Sequence, residues 1–227
     1  MSQVDWCALE KEIVECRRCE RLVSYRETVA KLKRRAYRDQ IYWGKPVPGF
    51  GDRNAQVLIV GLAPGAHGSN RTGRMFTGDA SGDFLYGALY RGGFSNQPDS
   101  IHRGDGLELK NVYVSAVCRC APPGNKPTSS EIHSCLPYLY REIEMLSQLR
   151  VVVALGRTAF EAMTAYFGFS PKPPFEHGGS YPTPRDGLVL VASYHPSRQN
   201  TQTRRLTTEM FDQIWSNVKS ILEREET

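Results

Sequence analysis

The sequence predicts an α/β fold in which helices cover both faces of a mostly parallel sheet. Two observations carry this. Four short apolar runs, 56–62, 111–117, 151–155 and 188–193, are continuous rather than alternating, as strands buried on both faces must be. Stretches of ten or more residues with helical spacing separate them, which is the pattern of βαβ units.

The first run, Gln56-Val-Leu-Ile-Val-Gly-Leu62, closes on glycine and opens a long loop. That loop reaches Ser81, where Asp79 or Ser81 is placed to cap a helix carrying Phe84, Leu85, Ala88 and Leu89 on one face. The second strand, Asn111–Val117, is followed by Thr128-Ser-Ser-Glu131, the spacing of a capping box that opens a helix to about Leu149. Val151–Leu155 precedes Gly156 and a helix to Phe167. Leu188–Ser193 ends at Tyr194-His195-Pro196, and a last helix spans about Leu206 to Glu223. Lys172-Pro-Pro-Phe175 and Tyr181-Pro-Thr-Pro184 read as surface connections or edge elements.

At 227 residues, 40% of them hydrophobic and 23% charged, the chain has the composition of an ordinary globular protein, and one domain spanning 1–227 is expected. No window approaches eighteen apolar residues and the start has neither a basic nor an apolar leader segment, so a cytoplasmic location with no membrane contact is expected. A net charge of +5 is modest, but cations gather at Lys31–Arg38 and Arg198–Arg205. Such stretches fit a polyanionic partner as well as an ordinary solvated surface.

Six cysteines in a cytoplasmic chain argue for metal ligation ahead of disulfides. Cys16-Arg-Arg-Cys19 presents two converging thiolates, and Cys120 with Cys135 forms a wider pair that only the fold can bring together. Four thiolates suit a tetrahedral zinc or a four-iron cluster, and spacing does not choose between them; a set of purely structural cysteines is the third possibility. Cys118 and Cys7 are expected to be small buried hydrophobes.

Ligands of parallel sheets sit outside the carboxyl ends of the strands, so the loops 61–79 and 195–203 are expected to share one cleft. The first holds five glycines, which allow close backbone approach to a ligand, and it lacks the Gly-Lys-Ser or Gly-Lys-Thr ending of a phosphate loop. The second, His195-Pro-Ser-Arg-Gln-Asn-Thr-Gln-Thr203, is too polar to be core.

Three segments carry a family resemblance: Gly61-Leu-Ala-Pro-Gly-Ala-His-Gly-Ser-Asn-Arg-Thr-Gly-Arg74 with Phe76-Thr-Gly-Asp-Ala-Ser-Gly82, Arg119-Cys-Ala-Pro-Pro-Gly-Asn-Lys-Pro-Thr128, and Ser193–Thr203. Together they resemble the family 5 (type B) uracil-DNA glycosylases, from about Cys16 to the final helix. The resemblance implies a three-layer α/β/α fold with a central, mostly parallel four-stranded sheet. It also implies that Cys16, Cys19, Cys120 and Cys135 ligate a four-iron four-sulfur cluster, which ties the N-terminal segment to the domain. The substrate it implies is DNA containing uracil or other damaged bases; a monomer is expected.

Removal of a base from deoxyribose passes through an oxocarbenium-like sugar and leaves charge on the departing base. His195 is suited to donate a hydrogen bond to that base while neutral, assisted by amides near Gly61 and Leu62. Phe76 is the candidate stacking platform for an extruded base, with plain core packing as the alternative. Asn125 matches the family position that reads the base edge. His67, Ser197, Arg198, Gln199 and Asn200 are expected at the DNA. Leu62 and Ala63 stand where related enzymes carry a polar residue that orients water. That role falls by resemblance to Asp79, with Asp83 as second candidate and simple helix capping as the alternative for Asp79. Lysine chemistry of the Schiff-base kind is not expected. Two other classes fit parts of the pattern: a noncatalytic nucleic-acid-binding module of the same fold, and a phosphate-handling enzyme built on the glycine loop.

Overall fold

The computed structural model describes residues 5–224. Its centre is formed by β2 (Val57–Gly61), β3 (Val112–Ala116), β4 (Val151–Leu155) and β6 (Val189–Ser193), all mutually parallel. Two short strands, β1 (Phe50–Gly51) and β5 (Ser180–Pro182), add antiparallel at the edges, giving the order β1-β3-β2-β4-β6-β5. The four predicted strands therefore make the core of a six-stranded sheet. The added edges are two and three residues long, too short to show any periodicity, and Pro182 fits only an edge.

Every residue of β2, β3 and β4 is buried, which is why their sequences run apolar without alternation. On one face Val57, Ile59 and Val153 pack against Leu85 and Leu89 of α4 (Ala80–Arg91) and Phe211 and Trp215 of α8 (Thr208–Glu223). On the other, Leu58, Val60 and Val152 meet Leu139 and Ile143 of α5 (Ser129–Met145) and Phe160 and Met163 of α6 (Arg157–Tyr166). This is the three-layer α/β/α arrangement. Caps fix where the helices start: Asp79 for α4, Thr207 for α8, and the full Thr128–Glu131 capping box for α5. α5 stops at Met145, four residues before the predicted end, because Leu146 leaves helical geometry at ψ 75°.

The sequence reading assigned no element before Gln56, yet α1 (Trp6–Glu15) and α2 (Glu20–Leu32) form there. Leu9 and Ile13 of α1 pack on Tyr138 of α5. The ion pair Arg141–Glu12 adds to that contact, while Arg53–Glu10 ties α1 to the segment before β2 and Arg21–Glu131 ties α2 to α5. Cys7 is exposed, correcting its assignment as a buried hydrophobe: it lies off the Leu9–Ile13 stripe that α1 turns inward. Cys118 is fully buried as expected. No helix among the described residues is long and apolar enough to cross a membrane.

Candidate active site

The loops after β2, β3 and β6 rise together from the carboxyl edge, where β2 has β3 on one side and β4 on the other and the direction of strand addition reverses. A cleft of about 500 Å³ opens there. Leu62, Ala63, Gly65, Phe76 and Asp79 line it from the glycine loop, Asn125 and Lys126 from the turn after β3, and His195, Ser197 and Gln199 from the segment after β6. The loop 61–79 includes a short helix α3 (Ser69–Thr72), and the loop after β6 includes α7 (Arg198–Gln202).

Phe76 adopts a left-handed backbone, φ 51°, which turns its ring over Gly61. A Cβ on Gly61 would lie 2.7 Å from that ring, and one on Gly82 would lie 1.8 Å from the Phe76 carbonyl oxygen, so both positions require glycine. Gly61 therefore sits beneath the platform, outside the cleft lining. The Phe76 ring stacks on His195 with centroids 5.8 Å apart and planes inclined by 29°. Burial drives the His195 pKa down to about 4, so the imidazole is neutral at pH 7.

Asp79 does two things with its two oxygens. Oδ1 accepts from the amides of Ser81 (3.0 Å) and Gly82 (3.2 Å), capping α4. Oδ2 faces Gly65 and Gly68 on the cleft side, where a Cβ on Gly68 would lie 1.8 Å from it. Burial pushes this carboxyl pKa up. Asp83 is exposed in the first turn of α4 and does not line the cleft.

Asn125 stands exposed at the cleft mouth in a left-handed turn, φ 56°. Ser197 Oγ caps α7 by accepting from the Asn200 amide, and Asn200 Nδ2 donates to the His195 carbonyl (2.9 Å). Those two side chains brace the histidine from within, while Arg198 and Gln199 remain exposed. His67 lies outside the cleft lining, its Nδ1 3.0 Å from the Tyr42 hydroxyl; burial, Arg34 and Arg71 lower its pKa.

His177 is a residue that sequence reasoning missed. Its Nδ1 accepts from the Tyr194 amide (3.1 Å), next to His195, and its Nε2 lies 3.3 Å from the Met210 carbonyl of α8. The acceptor role at Nδ1 puts the proton on Nε2, so the ring bridges the end of β6 to α8 in its neutral form. No spacing rule links residues 177 and 194. Only the antiparallel return of β5 beside β6 brings them together.

The four cysteines of the predicted ligand set line one hollow, between α2, the β3 exit and α5. Among the described residues no three His, Cys, Asp or Glu side chains converge as they would on a single ion. Arg119, which also lines the hollow, has Nε and Nη1 buried without a partner, and Nε of the buried Arg26 is likewise unpartnered. Hydrogen bonding from Cys118 lowers the Cys135 thiol pKa, Arg119 assisting, while burial pushes Cys120 up to about 12. The hollow thus has four sulfurs around its wall and spare cationic donors beside them, a donor set that a four-thiolate metal centre can use.

Residues 48–219 match the family model described as the uracil DNA glycosylase superfamily. The chain belongs to the uracil-DNA glycosylase superfamily. A type-5 uracil-DNA glycosylase of Thermus thermophilus is 53% identical over 215 residues, which cover 94% of this chain and 97% of that relative. A type-5 enzyme of Mycobacterium bovis is 50% identical over 218 residues, 95% of this chain and 81% of the relative. A type-4 uracil-DNA glycosylase of Archaeoglobus fulgidus is more distant, at 30% over 191 residues, 82% of this chain and 79% of the relative.

For a member of this superfamily the decisive feature is that residues far apart in sequence, Phe76, Asp79, Asn125 and His195, meet in one cleft. Lys126 joins them at the mouth but is exposed, without the burial that activates an amine as nucleophile.

Proposed function

We infer that this chain is a uracil-DNA glycosylase, a hydrolase that cleaves the N-glycosidic bond of uracil in DNA and so begins base excision repair. Its substrate range extends to other deaminated or damaged bases, including hypoxanthine. The observation that carries the reading is a neutral His195 stacked on Phe76 in the cleft that also holds Asp79 and Asn125.

An extruded base stacks on the exposed part of Phe76, and the Asn125 amide meets its hydrogen-bonding edge. As the C1′–N bond breaks, its electron pair stays on the base. The neutral imidazole of His195 donates a hydrogen bond to the base oxygen where charge builds, with no proton transfer required. The oxocarbenium-like sugar takes the oxygen of a water held by Asp79 Oδ2, and the water's proton passes to that carboxylate and on to solvent. Activation of the leaving group, rather than a strong base, carries most of the rate. This tolerates differently shaped bases in a cleft walled by Leu62 and Ala63.

Cys16, Cys19, Cys120 and Cys135 hold a four-iron four-sulfur cluster in this reading, supported by their shared hollow and by the unpartnered donors of Arg119 and Arg26. Bound there, the cluster supplies a covalent tie between the α1–α2 segment and the sheet.

The test is incubation of the protein with a labelled duplex carrying one central uracil, followed by alkali. The expected result is a break at uracil only after alkali, with His195→Ala slower by about 10²- to 10³-fold. Intact strands from wild-type protein on both uracil and hypoxanthine substrates return the chain to the class of noncatalytic binding modules.

A further inference from the structure

The cleft accounts for the base and its sugar but leaves unexplained the segment that follows α2. Lys31, Lys33, Arg34, Arg35 and Arg38 place five cations within eight residues. Arg34, Arg35 and Arg38 are exposed, and none of the three forms an ion pair among the described residues. The contrast is with Arg17, Arg18, Arg21, Arg53, Arg91 and Arg141, each of which is exposed or partly exposed and meets a carboxylate. What sets this segment apart is density: three exposed arginines without a carboxylate partner lie within five residues, Arg34 to Arg38.

The segment is also held in place beside the catalytic loop. Arg71 stacks its guanidinium over Tyr37 at 4.0 Å, donates from Nη1 to Gln40 Oε1 (2.5 Å), and donates from Nη2 to the carbonyl of Gly78 (2.7 Å), the residue before Asp79. The Tyr42 hydroxyl meets His67, and the Lys33 ammonium closes the segment by donating to the Arg38 carbonyl (3.1 Å). Ile41 is 94% exposed and Leu32 72%, two of only four large hydrophobic side chains so exposed among the described residues. At α7, by contrast, the cap Ser197 and Asn200 bond to the local backbone and the exposed residues are Arg198, Gln199 and Gln202, so that helix offers no exposed apolar side chain to a parted base stack.

We propose that residues 31–41 form a second grip on duplex DNA, in which Arg34, Arg35 and Arg38 bind backbone phosphates beside the extruded nucleotide and Ile41 wedges against the parted stack. Unpaired guanidiniums on a pinned segment suit phosphates, and an exposed aliphatic among them suits a minor-groove wedge. The inference rests on the glycosylase reading for the position of the extruded base, but the charge on the segment is testable without turnover.

Binding of the full chain to a uracil-containing duplex is measured across a salt series in a His195→Ala background, with and without Arg34→Ser, Arg35→Ser and Arg38→Ser together. Loss of three phosphate contacts reduces the slope of log affinity against log salt by about two to three. The thermal midpoint stays where it was, since these side chains meet no carboxylate. An unchanged slope overturns the grip. Ile41→Ala, in otherwise wild-type protein, slows excision from duplex by about tenfold and leaves excision from single strands untouched, because a single strand has no stack to hold open. Equal effects on both substrates, or none on duplex, overturn the wedge. A wild-type protein that removes no uracil from either substrate sinks the glycosylase reading instead, and the salt slope still judges the grip.

Discussion

His195 links the site's chemistry to the protein's stability. Its pKa falls from the ordinary 6.5 to about 4 on burial, so the folded state binds this proton less readily than the unfolded one. A depressed pKa of this sign gives stability that is complete above pH 6.5 and fades as pH falls toward 4, by about 3 kcal/mol for this shift. Denaturant unfolding at pH 7 and pH 4 checks it: His195→Gln should lose less stability than wild type across that interval by about that amount, and equal losses would mean that the imidazole is not the group responsible. Gly68 gives a second residue-scale prediction. Alanine there drives a methyl into Asp79 Oδ2. Single-turnover excision should fall by about 10²-fold, as for a misplacement of about 1 Å, and the melting temperature should fall as well, since the displaced carboxylate also caps α4. A G68A enzyme of wild-type rate would remove Asp79 from the mechanism.

At the scale of elements, two of the three loops that build the site are clamped by their neighbours. Buried Arg74 holds the glycine loop: it pairs with both oxygens of Asp105 (2.7 and 2.6 Å) and donates from Nε to Thr77 Oγ1 (2.9 Å), fixing the backbone on either side of Phe76. His177 holds the other loop by joining the β6 exit to α8. His177→Ala leaves the Tyr194 amide without its acceptor, at a cost of about 1–3 kcal/mol in stability, and frees His195 to move. The expected kinetic signature is a lower kcat with little change in KM. His177→Asn restores an acceptor near Nδ1 and should recover most of the rate; if alanine and asparagine variants are equally slow, the Tyr194 hydrogen bond is not what positions His195.

For the whole molecule, the question is what ties residues 5–50 to the sheet. The Leu9–Ile13–Tyr138 contact and the pairs Arg141–Glu12 and Arg21–Glu131 already do part of this. Freshly purified protein should carry about four iron and four sulfide per chain with the broad visible absorption of a thiolate-bound cluster. Cys16→Ala should abolish that absorption and lower the melting temperature while far-ultraviolet circular dichroism retains the α/β signature. Stoichiometric zinc with no sulfide would overturn the cluster in favour of a single ion.

Much of this architecture is local, and so was legible in the sequence. Continuous apolar runs gave all four parallel strands to within two residues, and Asp79 and Thr128 marked helix starts because a cap bonds to amides two or three residues away. Topology alone predicted that the loops after the first and last core strands share a cleft; of the residues the motifs named, Leu62, Ala63, Phe76, Asp79, Asn125, His195, Ser197 and Gln199 line it, while Gly61, His67, Arg198 and Asn200 do not. What the sequence could not determine depends on contacts between distant segments: the docking of α1 on α5, the edge strands, the His177–Tyr194 bond, and the inward turn of Asn200 toward the His195 carbonyl. The depressed pKa of His195 belongs to the same class, because desolvation is set by everything packed around a group. Periodicity and capping act within a few residues and can be read in order along the chain; burial and long-range hydrogen bonds exist only once the chain has folded.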